Sequence, residues 1–551
     1  MVDLHVHSTR SDGSYTPTEL VDYAITKNLT AFALTDHDTV AGLDEAISYA
    51  DSLRAAGTPA PRIIPGIEFS TEYEGRDVHI VGLFVDYKCN AFKEYMQDFI
   101  KSRDDRNIEM CEKFQKNGIE ISYDALVKEY PDSTITRAHI ANYMVKIGLV
   151  KHRNEAFDRF IGDRAPYYIP RKFVTPEKAI DLILKAGGIP VFAHPILCHL
   201  AKEKLDALVK RLKDAGLMGI EAIYSTYEPS DERQIRSLAS KYHLLLSGGS
   251  DFHGKNKDGI DLAVGRGKLN VPDEILENMD KSKGNFLFTD MDGTLLLKDC
   301  SISENMKNAL ESMVSKGHHL VLTTGRPLPS VLERKINLGL NFSNMYLITN
   351  NGGLIYDCDK EKSVFNLMLS SDVIKKVENI CNELKVHVHS YTATEIVGYE
   401  DDDELKFYRS RIKMPFIKVD DISAFLTKGS YKIQIIHLSD KSKLEMLKTR
   451  IESELSKDVD CFFSNDNYLE VLPKGCNKGA AVTWLCNYLS VPKCRSFAAG
   501  DENNDIPMIK AAGTGIAVLN AAEPVKAAAD IVTDSDNNHD GLLQIIYEYF
   551  N

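Results

Sequence analysis

His5 and His7 stand two residues apart, and so do Asp251 and His253 in Gly249-Ser250-Asp251-Phe252-His253-Gly254. On an extended strand that spacing puts both side chains on one face, as two ligands of one metal ion require. Asp12 follows in a Gly/Ser-rich turn, and His37 lies in Leu34-Thr35-Asp36-His37-Asp38-Thr39. Glu68 comes after Pro65-Gly66-Ile67, His79 falls in a strand-like run, and His194 sits in Ala193-His194-Pro195. These candidates combine imidazole and carboxylate without thiolate, which suits manganese, iron or zinc and does not select among them. Several divalent ions held together would screen the carboxylates and bind phosphate oxygens.

A second set begins at Phe288-Thr289-Asp290-Met291-Asp292-Gly293-Thr294. Asp290 and Asp292 are two apart where a strand runs into a tight turn. One carboxylate could attack phosphorus while the other donates a proton to the leaving oxygen. Gly293 allows close backbone approach to phosphate. Leu320-Val321-Leu322-Thr323-Thr324-Gly325-Arg326 is an apolar strand ending in a hydroxyl, and Lys478 opens a helix in Asn477-Lys478-Gly479. Gly500-Asp501-Glu502-Asn503-Asn504-Asp505 follows a further strand. Together they supply a nucleophile, an acid, a phosphate-binding hydroxyl, a cation and hard oxygen ligands, the parts that an aspartyl-phosphate mechanism with Mg²⁺ requires.

The elements that must position these groups differ between the two parts of the chain. In the first, short apolar runs end in polar, metal-capable residues: Val2–His7, Ala31–Asp36, Ile63–Glu68, Val78–Phe84, Ile189–His194, Gly219–Tyr224 and Leu244–Ser250. Helical stretches usually follow, which predicts an α/β domain with a parallel sheet. Polar residues at the strand ends favour a barrel mouth over an open doubly wound sheet with the same alternation. Residues 90–170 interrupt the pattern with a long helix, Phe92–Lys116, and shorter ones, as an insertion over the mouth would. The polar stretch 271–285 reads as a linker. In the second part, about 365–467 contains strand-like runs such as Tyr431–His437 and helical runs such as Leu444–Leu455, the stretch where the resemblance given below implies an inserted cap.

The 551 residues suggest three to four folding units. Hydrophobic residues are 43% and charged residues 26%, globular values that exclude wholesale disorder and coiled coil. A net charge of −14 disfavours long nucleic acid and anionic membranes as partners, so an anionic substrate must be drawn by local positive charge or bound metal. The ten cysteines form no CxxC pair and read as reduced thiols. With no signal-like start and no apolar run of about 18 residues, a cytoplasmic protein is expected. The oligomeric state is not legible.

Over about residues 1–270 the motifs His5-Val6-His7, Thr35-Asp36-His37-Asp38, Pro65-Gly66-Ile67-Glu68, Ala193-His194-Pro195 and Gly249–Gly254 resemble the PHP (polymerase and histidinol phosphatase) metal-dependent phosphoesterases. The resemblance implies a distorted seven-stranded (β/α) barrel with two to three divalent metals. His5, His7, Glu68 and Asp251 would hold one. Glu68 would bridge to a second with His79 and His194, and Asp12, His37 and His253 would hold a third. A metal-activated hydroxide would attack phosphorus. Within the insertion, Thr136-Arg137-Ala138-His139-Ile140-Ala141, Glu155–Asp158 and Ala165–Tyr168 are similar to the subgroup acting on nucleoside 3′,5′-bisphosphates and short 5′-phosphorylated RNA. That likeness implies that Arg137 and His139 face a terminal phosphate. Histidinol-phosphate hydrolysis is the alternative for this half.

Over 285–551 the second set, with Asn350-Asn351-Gly352-Gly353, Gly515–Val518, Asn520-Ala521, Ala529-Asp530 and Asp540-Gly541, resembles Cof-type haloacid dehalogenase (HAD) phosphatases. This implies a Rossmann-like core with an inserted α/β cap. Asp290 would be the nucleophile and Asp292 the general acid/base, with Thr324 and Lys478 holding the transferring phosphoryl group. Mg²⁺ would take Asp290, the Asp292 carbonyl and Asp501, supported by Asp505 with Asn504 nearby. Arg326 and Asn351 are assigned to substrate binding. Sugar phosphates, flavin mononucleotide or pyridoxal phosphate are expected substrates. The whole chain then reads as a bifunctional phosphatase, the competing reading being that one half is a non-catalytic regulatory module.

Overall fold

The computed structural model describes residues 1–162, 165–170, 175–392, 394–410, 412 and 414–550. The chain divides into two units, one built on Met1–Lys283 and the other on Gly284–Tyr488 with Lys493–Asn551.

The first unit contains β1 (Val2–Val6), β2 (Ala31–Leu34), β3 (Arg62–Tyr73), β4 (Arg76–Leu83), β5 (Ile189–Phe192), β6 (Gly219–Tyr224) and β7 (Leu245–Gly249). They pair in sequence order. The chain after β7 returns to β1: Val6 and Phe252 form a parallel bridge, and Asp251 N–H donates to the His5 carbonyl at 2.8 Å. A Cβ on Gly249 would overlap His5, so only glycine permits this approach. The result is a nearly closed barrel, not an open sheet. Helices such as Pro17–Thr26, Pro176–Lys185 and Pro229–Tyr242 bury their apolar stripes against it.

The expected all-parallel pairing fails at one place. β3 and β4 form an antiparallel hairpin, and β4 is antiparallel to β5 as well. The cause is a two-residue turn, Glu74-Gly75, with both residues at positive φ (51° and 72°), the conformation that folds a strand directly back. β3 therefore runs well past Glu68, and His79 reaches the site from a reversed strand.

The insertion comprises helices Asn90–Lys116, Tyr123–Glu129, Arg137–Lys146 and Arg153–Ala156, the last continuing into a π-turn at Phe157–Ile161. Met110, Phe114, Leu126, Ile140, Met144 and Ile161 give it a buried core of its own.

In the second unit an eight-stranded sheet holds β8 (Phe286–Asp290), β9 (His319–Thr323), β10 (Met345–Thr349), β11 (Leu354–Asp357) and β12 (Lys362–Asn366). A second sheet of six strands is inserted next: β13 (His387–Tyr391), β14 (Ile396–Gly398), β15 (Phe416–Lys418), β16 (Ile433–Ile436), β17 (Val459–Asn465) and β18 (Tyr468–Pro473). β18 carries this cap past residue 467. The chain then returns to the first sheet as β19 (Ser496–Gly500), β20 (Thr514–Ala517) and β21 (Ile531–Val532). β8 lies between β9 and β19, parallel to both. Chain connections diverge to either side of β8, so its C-terminal end is the crevice where open α/β sheets bind ligands. No helix among the described residues is long and apolar enough to cross a membrane.

Candidate active sites

Every barrel strand, or the loop that follows it, delivers part of the first site, and Glu68 within β3 is its centre. Glu68 Oε2 lies 3.2 Å from His5 Nε2, 3.2 Å from His7 Nε2 and 3.1 Å from His37 Nδ1. Its other oxygen is 2.9 Å from His79 Nδ1 and 3.0 Å from His194 Nε2. Asp251 Oδ1 adds contacts at 3.4 Å to His7 and 3.3 Å to His253, and Asp12 Oδ1 lies 3.2 Å from His253. All nine expected ligands thus converge. Their atoms form overlapping groups, His5–His7–Asp251, His5–Glu68–His194, His37–Glu68–His79 and His7–Asp12–His37–His253. The grouping differs from the expected sets in that His79 joins His37, and His194 joins His5.

The backbone is held in unfavourable conformations to achieve this. His194 (φ 31°) and Asp251 (φ 54°) both occupy the left-handed region, at a cost of order 1–3 kcal/mol each that surrounding contacts must offset. Glu221, in the middle of β6, does part of that work. It accepts from His194 N–H at 2.7 Å and lies 3.2 Å from His5 Nδ1, which leaves His5 Nε2 pointing at Glu68. Tyr224 donates to Asp251 at 2.7 Å, and Lys257 pairs with the same carboxylate.

The donor set fits divalent cations. His5 Nε2, His7 Nε2, Asp12 Oδ1 and Glu68 Oε2 are buried without a hydrogen-bond partner among the described residues. Burial alone would lower the His7 pKa, but the Asp251 and Glu68 carboxylates carry it up to about 9; burial, with His7 and His79 adding to it, pushes His37 down to about 3. Imidazoles this close cannot all be protonated, and metal ions that displace protons resolve the conflict.

Seven of the nine, all but His5 and His7, floor a cavity of about 610 Å³, whose wall includes Arg103, Arg106, Arg137, Arg153 and Lys257. The volume falls in the range of small-molecule sites. Arg137 reaches the wall, but it is paired with Asp77 and flanked by the Phe157 and Tyr168 rings. His139 does not line the cavity. It is 3% exposed, pushed down to about 4 by burial, and its Nδ1 accepts from Thr136 N–H at 3.1 Å. Thr136 in turn donates to Asp12 at 3.1 Å, so His139 positions the Asp12 carboxylate through the Thr136 cap.

In the second unit, Lys478 is 1% exposed and bridges two carboxylates, Asp290 at 2.5 Å and Asp505 at 2.6 Å. Burial, reinforced by Asp505 and Asp501, raises the Asp290 pKa against the pull of Lys478. The Asp290, Asp501 and Asp505 carboxylates lie close enough to share one ion, an all-oxygen set that suits Mg²⁺. Burial also lifts Asp501 to about 6, while Thr294 donates to it at 2.6 Å. Gly293, at φ 89°, must be glycine because a Cβ would strike Asp501. Asp505 caps the loop after β19 by accepting from Asp501 and Glu502 N–H. Thr324 is 3% exposed at the end of β9, within the same strand-end crevice.

Three expected residues sit apart from this centre. The Asp292 side chain is gripped by Arg326 at 2.7 Å and Arg334 at 3.0 Å, away from the carboxylate trio. Asn504 is exposed on the turn Asn503–Asp505. Asn351, at φ 56°, donates to Glu470 of the cap at 3.1 Å, and Glu470 also pairs with Lys432 at 3.2 Å.

A family model described as the PHP domain matches residues 3–174, and one described as haloacid dehalogenase-like hydrolase matches 287–546. The chain is 36% identical over 271 residues to a "5'-3' exoribonuclease" of Haemophilus influenzae, covering 48% of this chain and 96% of that protein. A "3',5'-nucleoside bisphosphate phosphatase" of Chromobacterium violaceum is 32% identical over 266 residues, 47% of this chain and 90% of that one. An "HMP-PP phosphatase" of Yersinia pseudotuberculosis is 31% identical over 238 residues, 43% of this chain and 84% of that one.

Proposed function

This chain belongs to the PHP-domain phosphoesterases through one half and to the haloacid dehalogenase-like hydrolases through the other, and from that premise we propose which esters each half cleaves. It is a two-domain phosphatase of two metal-dependent families. The barrel half removes the 3′-phosphate of nucleoside 3′,5′-bisphosphates, or trims short 5′-phosphorylated RNA. The observation that carries this reading is the pairing of a floor made by seven of the nine clustered ligands with a cationic wall in one nucleotide-sized cavity.

His5, His7, Asp12, His37, Glu68, His79, His194, Asp251 and His253 would hold two to three ions of manganese, iron or zinc. Such ions acidify water and polarise phosphoryl oxygens. The chain's own part is to hold these ligands in register through Glu221, Tyr224 and the His139–Thr136 cap, and to neutralise the nucleotide's remaining charge with the wall.

In the second half, Asp290, Asp501 and Asp505 would hold Mg²⁺, which shields charge on the phosphoryl group. An Asp290 oxygen attacks phosphorus, the bond to the leaving oxygen breaks, and that oxygen takes a proton from Asp292. Lys478 fixes the Asp290 carboxylate for attack, and Thr324 donates to a phosphoryl oxygen. The Asp292 carboxylate then takes a proton from water, whose oxygen bonds to phosphorus as the bond to the Asp290 oxygen breaks, releasing inorganic phosphate. Asp292 must leave part of its Arg326–Arg334 grip to deliver its proton, so those arginines orient the acid. The substrate is a small phosphorylated metabolite.

The first assignment is tested by phosphate release from adenosine 3′,5′-bisphosphate with Mn²⁺, beside histidinol phosphate and p-nitrophenyl phosphate. The bisphosphate should give the highest kcat/KM. A preference for histidinol phosphate would overturn the nucleotide assignment.

A further inference from the structure

The loop after β7 carries two ligands, Asp251 and His253, on either side of Phe252. Both ligands line the catalytic cavity, whereas Phe252 lines a second one of about 550 Å³. There it packs against Tyr15 and Tyr23, with ring centroids 5.5 and 5.8 Å away. Tyr15 and Tyr23 are half-buried and nearly parallel, their planes 17° and their centroids 5.4 Å apart. The Tyr15 segment is tied to the ligand loop. Ser14 N–H donates to the His253 carbonyl at 3.1 Å, and Gly254 lies so close that a Cβ would strike the Tyr15 ring. Tyr23 is fixed through its hydroxyl, which donates to Asp261 at 2.6 Å. Two exposed cations share this lining, Lys255 and Arg266, and neither side chain has a hydrogen bond or ion pair with any described residue. Of the two carboxylates on the lining, Asp261 is already matched by Lys27 at 2.5 Å. The other, Asp258, lines both cavities, so the two adjoin across it.

We propose that this groove is a base-stacking platform for the nucleotide on the 3′ side of the scissile phosphate, in a short RNA whose 5′ nucleotide fills the catalytic cavity. The inference rests on the RNA-trimming reading above. It separates RNA from a nucleoside bisphosphate, which ends at the phosphate and has no second base to place. Every base presents a π-face, so stacking on Tyr15 tolerates any sequence, as trimming requires. With Asp261 matched, two cations face one carboxylate, which makes the groove locally positive in a chain of net charge −14. That charge complements the backbone phosphate that follows the stacked base. Because the platform and the ligand loop are tied together, a base held on Tyr15 also holds the scissile phosphate in register with the metal floor.

The test uses the full chain with Mn²⁺ and three substrates: adenosine 3′,5′-bisphosphate, 5′-phosphorylated ApA, and the same dinucleotide with an abasic second residue. Tyr15→Ala should lower kcat/KM on the dinucleotide by about tenfold, which is about 1.4 kcal/mol. It should leave the bisphosphate, the abasic substrate and metal content at wild-type values. Tyr15→Phe keeps the ring and should match wild type. Arg266→Ala should slow a 5′-phosphorylated trinucleotide several-fold and the bisphosphate not at all, and it serves alone if Tyr15→Ala does not fold. Equal losses on all three substrates, or no loss on the dinucleotide, would overturn the platform. If the wild type cleaves no RNA, calorimetric affinity for 5′-phosphorylated ApA replaces kcat/KM. Affinity that depends on Tyr15 would then refute the proposed trimming and sustain the platform, and affinity indifferent to Tyr15 would sink both.

Discussion

In the barrel half, one carboxylate, Glu68, is surrounded by the nitrogens of five histidines at 2.9–3.2 Å. In the second half, two carboxylates, Asp290 and Asp505, share one lysine nitrogen. The first cluster has ligand atoms in excess and no fixed cation at its centre, so its charge balance depends on ions from outside. The second carries a permanent counter-ion in its covalent structure and needs one more charge, near Asp501. Two solutions to the same problem, holding phosphate against carboxylates, should therefore fail in different ways.

The largest difference is expected at the fixed counter-ion. Lys478→Ala would leave Asp290 and Asp505 buried without a partner, a loss of about 3–5 kcal/mol for a broken buried pair. Activity of the second half should fall by roughly 10³-fold or more, because the nucleophile loses its position. Thermal unfolding and phosphate release check both parts. A variant as stable as wild type would mean that Asp290 and Asp505 take up protons or ions to replace the lysine.

Next comes the outer support of the barrel floor. Glu221→Gln should weaken metal retention by about 10–100-fold, because it fixes both His5 and His194. Elemental analysis after dialysis should then find Mn, Fe or Zn reduced in the variant, while the Mg²⁺ requirement of the second half is unchanged. Full metal content would show that the strained backbone at His194 is held by other contacts.

The smallest expected effect is shared. Each half holds a histidine that burial pushes down to about 4, His139 in the first and the half-buried His318 in the second. A folded pKa below the ordinary value of about 6.5 means that the unfolded chain binds more protons between these limits. The stability is therefore fully present above pH 6.5 and lost as pH falls towards 4, about 1–2 kcal/mol per site by pH 5. His318→Asn should narrow the gap between melting temperatures at pH 7 and pH 5 for the second half. An unchanged gap would place the acid sensitivity elsewhere.

The catalytic groups were more legible than their surroundings. Strand-end ligands announce themselves because His5/His7 and Asp251/His253 combine rare residue types with period-two spacing, and the structure brings all nine together. The barrel followed from the same runs, and the cap from the resemblance to a subfamily that inserts one between those motifs. The β3–β4 reversal was missed, although Glu74-Gly75 between alternating runs carries a hairpin signal. Glu221 was missed inside an apolar strand, where a lone carboxylate is itself the clue. Arg103, Arg153 and Arg334 are ordinary helix residues in sequence. Only tertiary packing shows that Arg103 meets Asp38, Arg334 meets Asp292 and Arg153 meets no described partner.

The central claim is that two phosphatase centres of different chemistry work independently in one chain. The most direct measurement compares Asp290→Asn and His7→Ala in the full chain, each assayed on two substrates. One is adenosine 3′,5′-bisphosphate with Mn²⁺. The other is whichever of flavin mononucleotide, pyridoxal phosphate or a panel of sugar phosphates the wild type hydrolyses fastest with Mg²⁺. Asp290→Asn should abolish the Mg²⁺ reaction and leave bisphosphate hydrolysis at the wild-type rate, and His7→Ala should do the reverse. Loss of both activities from either substitution, in a chain that still folds, would contradict the account.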